Sequence, residues 1–376
     1  MTNNKTMWWV RFLENYSSDM GTYDEIYEFC SEVHIPGGLN YGNGVILCGW
    51  LIWDSAIKWL YTYLLRIKFP NQSSKYSDHK EYISKCTTNG YYFQWGIAAE
   101  LLALFSFHFR ARFFLISYTR WELTDLSLPC RQNYNFSYTH CPTTHHPYML
   151  SQGIGLRDWS SAATFLDTIK LLPYNKHQII ANSLWWYSKS VREIGANEEM
   201  FFINMVSCVE AISGKEKHND ELSKKLEAFL EEEFLDEEEK KEIKSFIQNR
   251  KVQQKFIKFI LENSPLFFET RKLPNSHIGH ILKNKPEWAK EWTAQQLGAE
   301  EVLKTIYNAR SNYLHQGIPM YLSHYMWTPD WDMDISHWWF IDYRKYTRSD
   351  LLPYPRWFEE IVHHAISAYI LKIKWH

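Results

Sequence analysis

The sequence predicts a mainly α protein in two parts: a helical C-terminal domain over residues 156–376 and an N-terminal domain over 1–155 of mixed or helical character. Three observations carry this. From Asp158 onward, apolar residues recur at three- and four-residue spacing between recognisable caps and stops. Before it, glycine-rich, β-branched and helix-like stretches alternate without one dominant period. The 376 residues leave room for two or three domains, and a hydrophobic content of 45% supplies a core for each and argues against disorder.

In the first part, Gly37, Gly38, Gly42 and Gly44 bracket a glycine- and asparagine-rich loop. The apolar run 45–53 that follows fits a buried strand or a helix start. Residues 56–67 space Ile57, Leu60, Tyr61, Leu64 and Leu65 as a helix would, with Pro70 as the stop. Residues 97–107 read as a helix, and 113–128, rich in β-branched and aromatic residues, as a segment that includes a strand. Residues 129–155 read as a long loop.

In the second part, Asp158 is placed to cap a helix whose stripe is Trp159, Ala162, Ala163, Leu166, Ile169 and Leu172, stopped by Pro173. A helix over 176–193 follows, ending before Gly195. Asn197 then caps a third, with Glu198 and Glu199 favouring its N-terminal dipole, Phe202, Met205, Val206, Val209 and Ile212 as its stripe, and Gly214 as its stop. Residues 215–262 form a charge-rich helical insertion that reads as a pair of solvated surface helices. The other reading is a basic face for RNA carried by Lys251, Lys255 and Lys258. Residues 300–315 form a helix with Val302, Leu303, Ile306, Tyr307, Arg310 and Leu314 on overlapping faces. A Trp- and His-rich stretch containing Trp327, Trp331, His337, Trp338 and Trp339 precedes a last helix over 356–373.

Bulk properties narrow the function. A formal net charge of −2 gives no global basic field, so any RNA affinity has to come from a local patch. The opening Met-Thr-Asn-Asn-Lys-Thr lacks the apolar core of a secretory signal, and Cys30, Cys48, Cys86, Cys130, Cys141 and Cys208 have no regular spacing. A cytoplasmic protein with reduced thiols is therefore expected. The apolar runs 45–65 and 95–107 contain Asp54, Lys58 and Glu100 and are too broken to span a membrane. No Walker A, Gly-x-Gly-x-x-Gly or Gly-x-Ser-x-Gly motif occurs, which removes the usual nucleotide-driven and α/β-hydrolase chemistries. Cys130, His140, Cys141, His145 and His146 are ligand types that suit zinc, but their spacing matches no strong zinc signature, and they read as a polar loop with incidental histidines. No cofactor is expected.

An arginine followed by a histidine after four to six intervening residues occurs at Arg310/His315, Arg271/His277 and Arg356/His363. The spacing alone is weak, so context chooses. Pro274 splits Arg271/His277, and Arg356/His363 sits in a run that reads as core. Arg310/His315 ends an amphipathic helix just before Gly317 and carries Ser311-Asn312 directly after the arginine. This pattern resembles the Arg-x4-6-His signature of HEPN domains, many of which are metal-independent endoribonucleases. The strip 201–212 is similar to the preceding helix of Apea-like HEPN proteins, where a glutamate sits near the C-terminal end; here it is Glu210. The likeness covers residues 158–317 without the charged insertion. Many HEPN families carry Asn, Asp or His directly after the arginine, where this chain has Ser311.

The chemistry suits these residue types. An imidazole that titrates near neutral pH moves the proton of a 2′-hydroxyl or of a leaving oxygen. A guanidinium stabilises charge that builds on phosphate oxygens. The resemblance implies His315 as general acid/base, Arg310 as transition-state stabiliser, and Ser311 and Asn312 as phosphate-positioning groups. Glu210 reads either as the ion-pair partner that orients Arg310 or as a polar residue near a helix end, and Tyr313 either packs or touches a base. The resemblance also implies RNA as substrate, a homodimer with two motifs facing one cleft, a 2′,3′-cyclic phosphate product, and a toxin or antiphage role. In that role the N-terminal domain would sense a trigger or partner protein. Residues five apart on an ideal helix lie ~140° apart, so Arg310 and His315 share a face only if the last turn is distorted. Two other readings stand beside this one. One is a non-catalytic HEPN-like module binding RNA, a nucleotide or a partner protein. The other is an interaction protein using the aromatic surface of residues 327–339.

Overall fold

The computed structural model describes residues 7–14, 16, 22–31, 33–50, 61–70, 96–121, 158–194, 197–214, 228, 236–265, 299–318, 320, 352 and 355–374. Among these, helix predominates and one antiparallel sheet lies in the N-terminal region. Two compact units result: Met1–Asn197 with Ile373–His376, and Glu198–Lys372.

The first unit is mixed. Its strands are β1 (Thr22–Ser31), β2 (Gly38–Tyr41), β3 (Ile46–Trp50), β4 (Tyr61–Pro70) and β5 (Phe114–Trp121), in the order β2-β3-β4-β1-β5. Its helices are α1 (Trp8–Glu14), α2 (Gly96–Phe109), α3 (Trp159–Lys170) and α4 (Tyr174–Glu193). Strand β4 corrects the helical expectation for its part of 56–67. Tyr63, Leu65 and Ile67 are buried while Thr62, Leu64 and Arg66 are less so, a period of two that the coincident spacing of Leu64 and Leu65 masked. The glycine-rich loop likewise contains β2, whose residues pair with β3 across a turn at Gly42–Val45. That turn needs glycine, because φ is 61° at Gly42 and 86° at Gly44. The strand expected after residue 113 and the helix expected over 97–107 are both present.

The core of this unit centres on Trp159, whose ring lies 4.9 Å from Phe109, 5.2 Å from Phe105, 5.6 Å from Tyr63 and 6.3 Å from both Phe29 and Phe113. Phe29 and Tyr63 face each other across β1 and β4, so strand pairing and aromatic packing fix the same register. Asp158 caps α3 as expected, accepting from the Ser161 N–H at 3.0 Å. Tyr41 donates to Asp167 at 2.7 Å and ties β2 to α3. Helices α3 and α4 thus group with the sheet, whereas the sequence reading began the second domain at residue 156. The physical reason is Trp159, an apolar anchor buried against strand side chains.

The second unit holds α5 (Glu198–Ser213), α6 (Glu237–Asn263), α7 (Ala299–Gln316) and α8 (Pro355–Lys374). Helix α5 is buried at every position from Phe201 to Val206 and is the central element. Phe202 stacks on Phe358 of α8 at 5.6 Å, and Phe256 of α6 meets Tyr307 of α7 at 5.5 Å. A capping box at Asp236 and Glu239 starts α6. Reading residues 215–262 as solvated surface helices is corrected for the C-terminal half of α6. Phe256, Ile257, Phe259 and Ile260 form a buried stripe at helical spacing that the lysines around it obscure. No helix among the described residues is long and apolar enough to cross a membrane. Cys30, Cys48 and Cys208 are buried and form no disulfide among the described residues.

Candidate functional site

Helices α5, α6 and α7 place the motif residues. Helix α5 ends at Gly214, whose N–H donates to the Glu210 carbonyl at 2.9 Å. A Cβ at Gly214 would lie 2.8 Å from that same oxygen, so only glycine fits without moving the turn that carries Glu210. Lys255 of α6 donates to the Gly214 carbonyl at 3.3 Å, and Gln253 donates to Asn308 of α7 at 2.7 Å. These contacts cap α5 and fix α6 against α7.

Glu210 receives two donors from α7. Arg310 reaches its Oε2 from Nη2 at 3.0 Å, and the Tyr307 hydroxyl donates to Oε1 at 3.0 Å. The two donors lie three residues apart and so share a face of α7. The Arg310 guanidinium also stands 5.9 Å from the centre of the Tyr307 ring. Side-chain exposure is 18% for Arg310 and 20% for Glu210, so the pair is partly desolvated yet still meets solvent. Burial, the Glu210 charge and the hydrogen bond to it push the Tyr307 phenol well above its usual range, with Arg310 pulling the other way. The Arg310 Nε is buried without a hydrogen-bond partner among the described residues.

Glu210 therefore sits against Arg310, the first of its two sequence readings, while also lying near the end of α5. Tyr307 is the member that the sequence reading left among the apolar positions. Its spacing from Arg310 was the available signal.

His315 stands elsewhere. Helix α7 continues to Gln316, so the last turn is not distorted and Arg310 and His315 diverge around the helix by about 140°. Ser311 and Tyr313 are half-buried, whereas Asn312, Leu314 and His315 are exposed. The helix stops at Gly317, with φ of 66° and an N–H donating to the Tyr313 carbonyl at 3.1 Å, the left-handed stop that glycine favours. The structure brings Glu210, Tyr307 and Arg310 together and leaves His315 on a separate, open face of the same helix end.

The other candidates fall as follows. Lys255 caps α5, and Lys258 pairs with Glu262 at 3.6 Å. His363 lies on α8 with Val362 buried beside it. Arg271 and His277, the possible zinc ligands Cys130, His140, Cys141, His145 and His146, and the aromatic stretch 327–339 lie outside the described residues. Among the described residues, no group of three His, Cys, Asp or Glu side chains is arranged to hold a metal. Comparison with protein-family models, curated proteins and solved structures finds no match to this chain.

Proposed function

We propose that the protein is a metal-independent endoribonuclease of HEPN type. Its active site would form between the α7 ends of two copies. The observation that supports this reading best is the Glu210–Arg310 pair, which holds a partly exposed guanidinium fixed at the helix end that also carries His315. One nitrogen of Arg310 serves Glu210, and the guanidinium fork has further donors for a phosphate oxygen.

In this mechanism His315 of one copy takes the proton of a ribose 2′-hydroxyl as its oxygen attacks the adjacent phosphorus. The bond from phosphorus to the 5′-oxygen breaks, and that oxygen takes a proton from His315 of the second copy. The products are a 2′,3′-cyclic phosphate and a 5′-hydroxyl. Arg310 stabilises the charge on the phosphoryl oxygens in passing. Asn312, exposed beside His315, and Ser311 position the phosphate. Two copies are needed because Arg310 and His315 of one helix diverge, and because a single imidazole does not carry both proton transfers efficiently. A toxin or defence role, with the sheet-bearing unit sensing a trigger in the cytoplasm, belongs to this same reading.

A second reading is favoured by one observation. Glu210 already neutralises Arg310, and Tyr307 covers it, which is also how a purely structural clamp between α5 and α7 would look. The protein would then be a non-catalytic helical module.

Incubation of the full-length chain with RNA in EDTA separates the two. We expect cleavage with 2′,3′-cyclic phosphate ends, no cleavage of 2′-O-methyl RNA, and a loss of at least about 100-fold in Arg310→Lys, which keeps the charge but not the fork. Cleavage of 2′-O-methyl RNA, or an absolute need for a divalent ion, contradicts the mechanism.

A further inference from the structure

Helix α4 carries Trp185, Lys189 and Arg192 at i, i+4 and i+7, a single stripe along its half-buried flank. The end of this stripe meets β5, the edge strand of the described sheet. The Arg192 guanidinium lies 6.0 Å from the centre of the Phe114 ring, and its Nε is buried without a hydrogen-bond partner among the described residues. Arg112, nearly fully buried, donates to the carbonyl of Ile194 at 2.9 Å and adds a second guanidinium at the same helix end. The Lys189 ammonium stands 5.2 Å from the Trp185 ring and 5.3 Å from the Trp186 ring.

Three cations thus gather at one corner of the first unit. Burial lowers the pKa of Arg192 to about 10, against the pull of the nearby Cys30 and Glu193, and burial and Arg192 together lower that of Lys189. The C-terminal dipole of α4 favours positive charge there, but a dipole does not satisfy the donors of a desolvated guanidinium. Partly desolvated cations of this kind fit an anion with several acceptor oxygens, and the indoles beside them fit a planar ring.

We infer that this flank of α4 binds a nucleoside phosphate, with Arg192 and Lys189 holding the phosphate oxygens and Trp185 stacking on the base. Lys189 moves from the indole face onto the phosphate as the base takes its place. Arg112 stays on the Ile194 carbonyl and holds the helix end in position. Multiple cations favour a di- or triphosphate over a single carboxylate. The site lies wholly within the first unit and is independent of the nuclease reading.

Calorimetric titration of the full-length chain with ADP and with inorganic pyrophosphate tests the site. The His315→Ala background keeps any RNA-directed activity out of the measurement. We expect saturable ADP binding that weakens about tenfold or more in Arg192→Gln and in Lys189→Gln. Trp185→Ala weakens ADP and leaves pyrophosphate unchanged. Unchanged melting temperatures in the two Gln variants show that lost binding is not lost folding. No binding of either probe by the wild type at millimolar concentration overturns the proposal, as does undiminished ADP binding in both Gln variants. Equal affinity for both probes, unaffected by Trp185→Ala, removes the base from the site and leaves a phosphate site alone.

Discussion

The surroundings of Trp159 in the sheet-bearing unit and of Arg310 in the helical unit are built on opposite principles. Trp159 is fully buried among Phe29, Tyr63, Phe105, Phe109 and Phe113. Arg310 is partly exposed, paired with one carboxylate and placed over the ring of one tyrosine. The first arrangement draws on area removed from water and close packing, which need no particular chemistry. The second gives up hydration of two charges for one ion pair, which stabilises a fold only modestly. What it supplies is a guanidinium at a fixed place. The contrast separates residues that hold the molecule together from residues that hold a group ready.

The contrast has a stability side. Trp159→Ala should cost the most, about 3–5 kcal/mol, because it empties a site shared by strands and helices. Chemical denaturation reads this directly, and a cost under about 1 kcal/mol would mean that the aromatic cluster is not the core. Glu210→Ala should cost about 1–3 kcal/mol, since it leaves a partly desolvated Arg310 and the Tyr307 hydroxyl without their acceptor. A loss as large as that of Trp159→Ala would make the pair a core element and remove the distinction. Gly317→Ala should cost about 1 kcal/mol. The space beside Gly317 is open, so the whole penalty comes from its left-handed φ.

A smaller effect follows from pH. His177 of α4 is buried, and burial lowers its pKa from the ordinary 6.5 against the opposing pull of the Leu172 and Ile169 backbone and of the Glu14 charge. The fold therefore favours the neutral ring. Its contribution is complete above pH 6.5 and is lost as pH falls below that value. Melting temperatures of the wild type should fall through this window more steeply than those of His177→Leu. Parallel profiles would show that the ring is hydrated in the folded protein.

The helical half was legible because its signals are local. Asp158 sits at its cap, Gly317 at its stop, and the stripes of α3, α5, α7 and α8 face their cores. Strand β4 was not legible because Leu64 and Leu65 are adjacent, and one face of a strand and one stripe of a helix share such positions. The buried half of α6 was hidden by lysines interleaved with Phe256, Ile257, Phe259 and Ile260. At the candidate site, helix context chose Arg310 and His315 among three pairs of like spacing, and the resemblance of residues 201–212 pointed to Glu210. Sequence could not show that Tyr307 shares Glu210 with Arg310, because that contact joins two helices 97 residues apart. The sequence reading did not single out Trp185, Lys189 and Arg192, because Arg192 meets Phe114 only through the fold.

The most direct measurement pairs melting temperature with RNA cleavage in EDTA for wild type and His315→Ala. His315 is exposed, so we expect an unchanged melting temperature together with cleavage reduced by at least about 100-fold. Cleavage that survives the substitution would contradict a nuclease site at the end of α7.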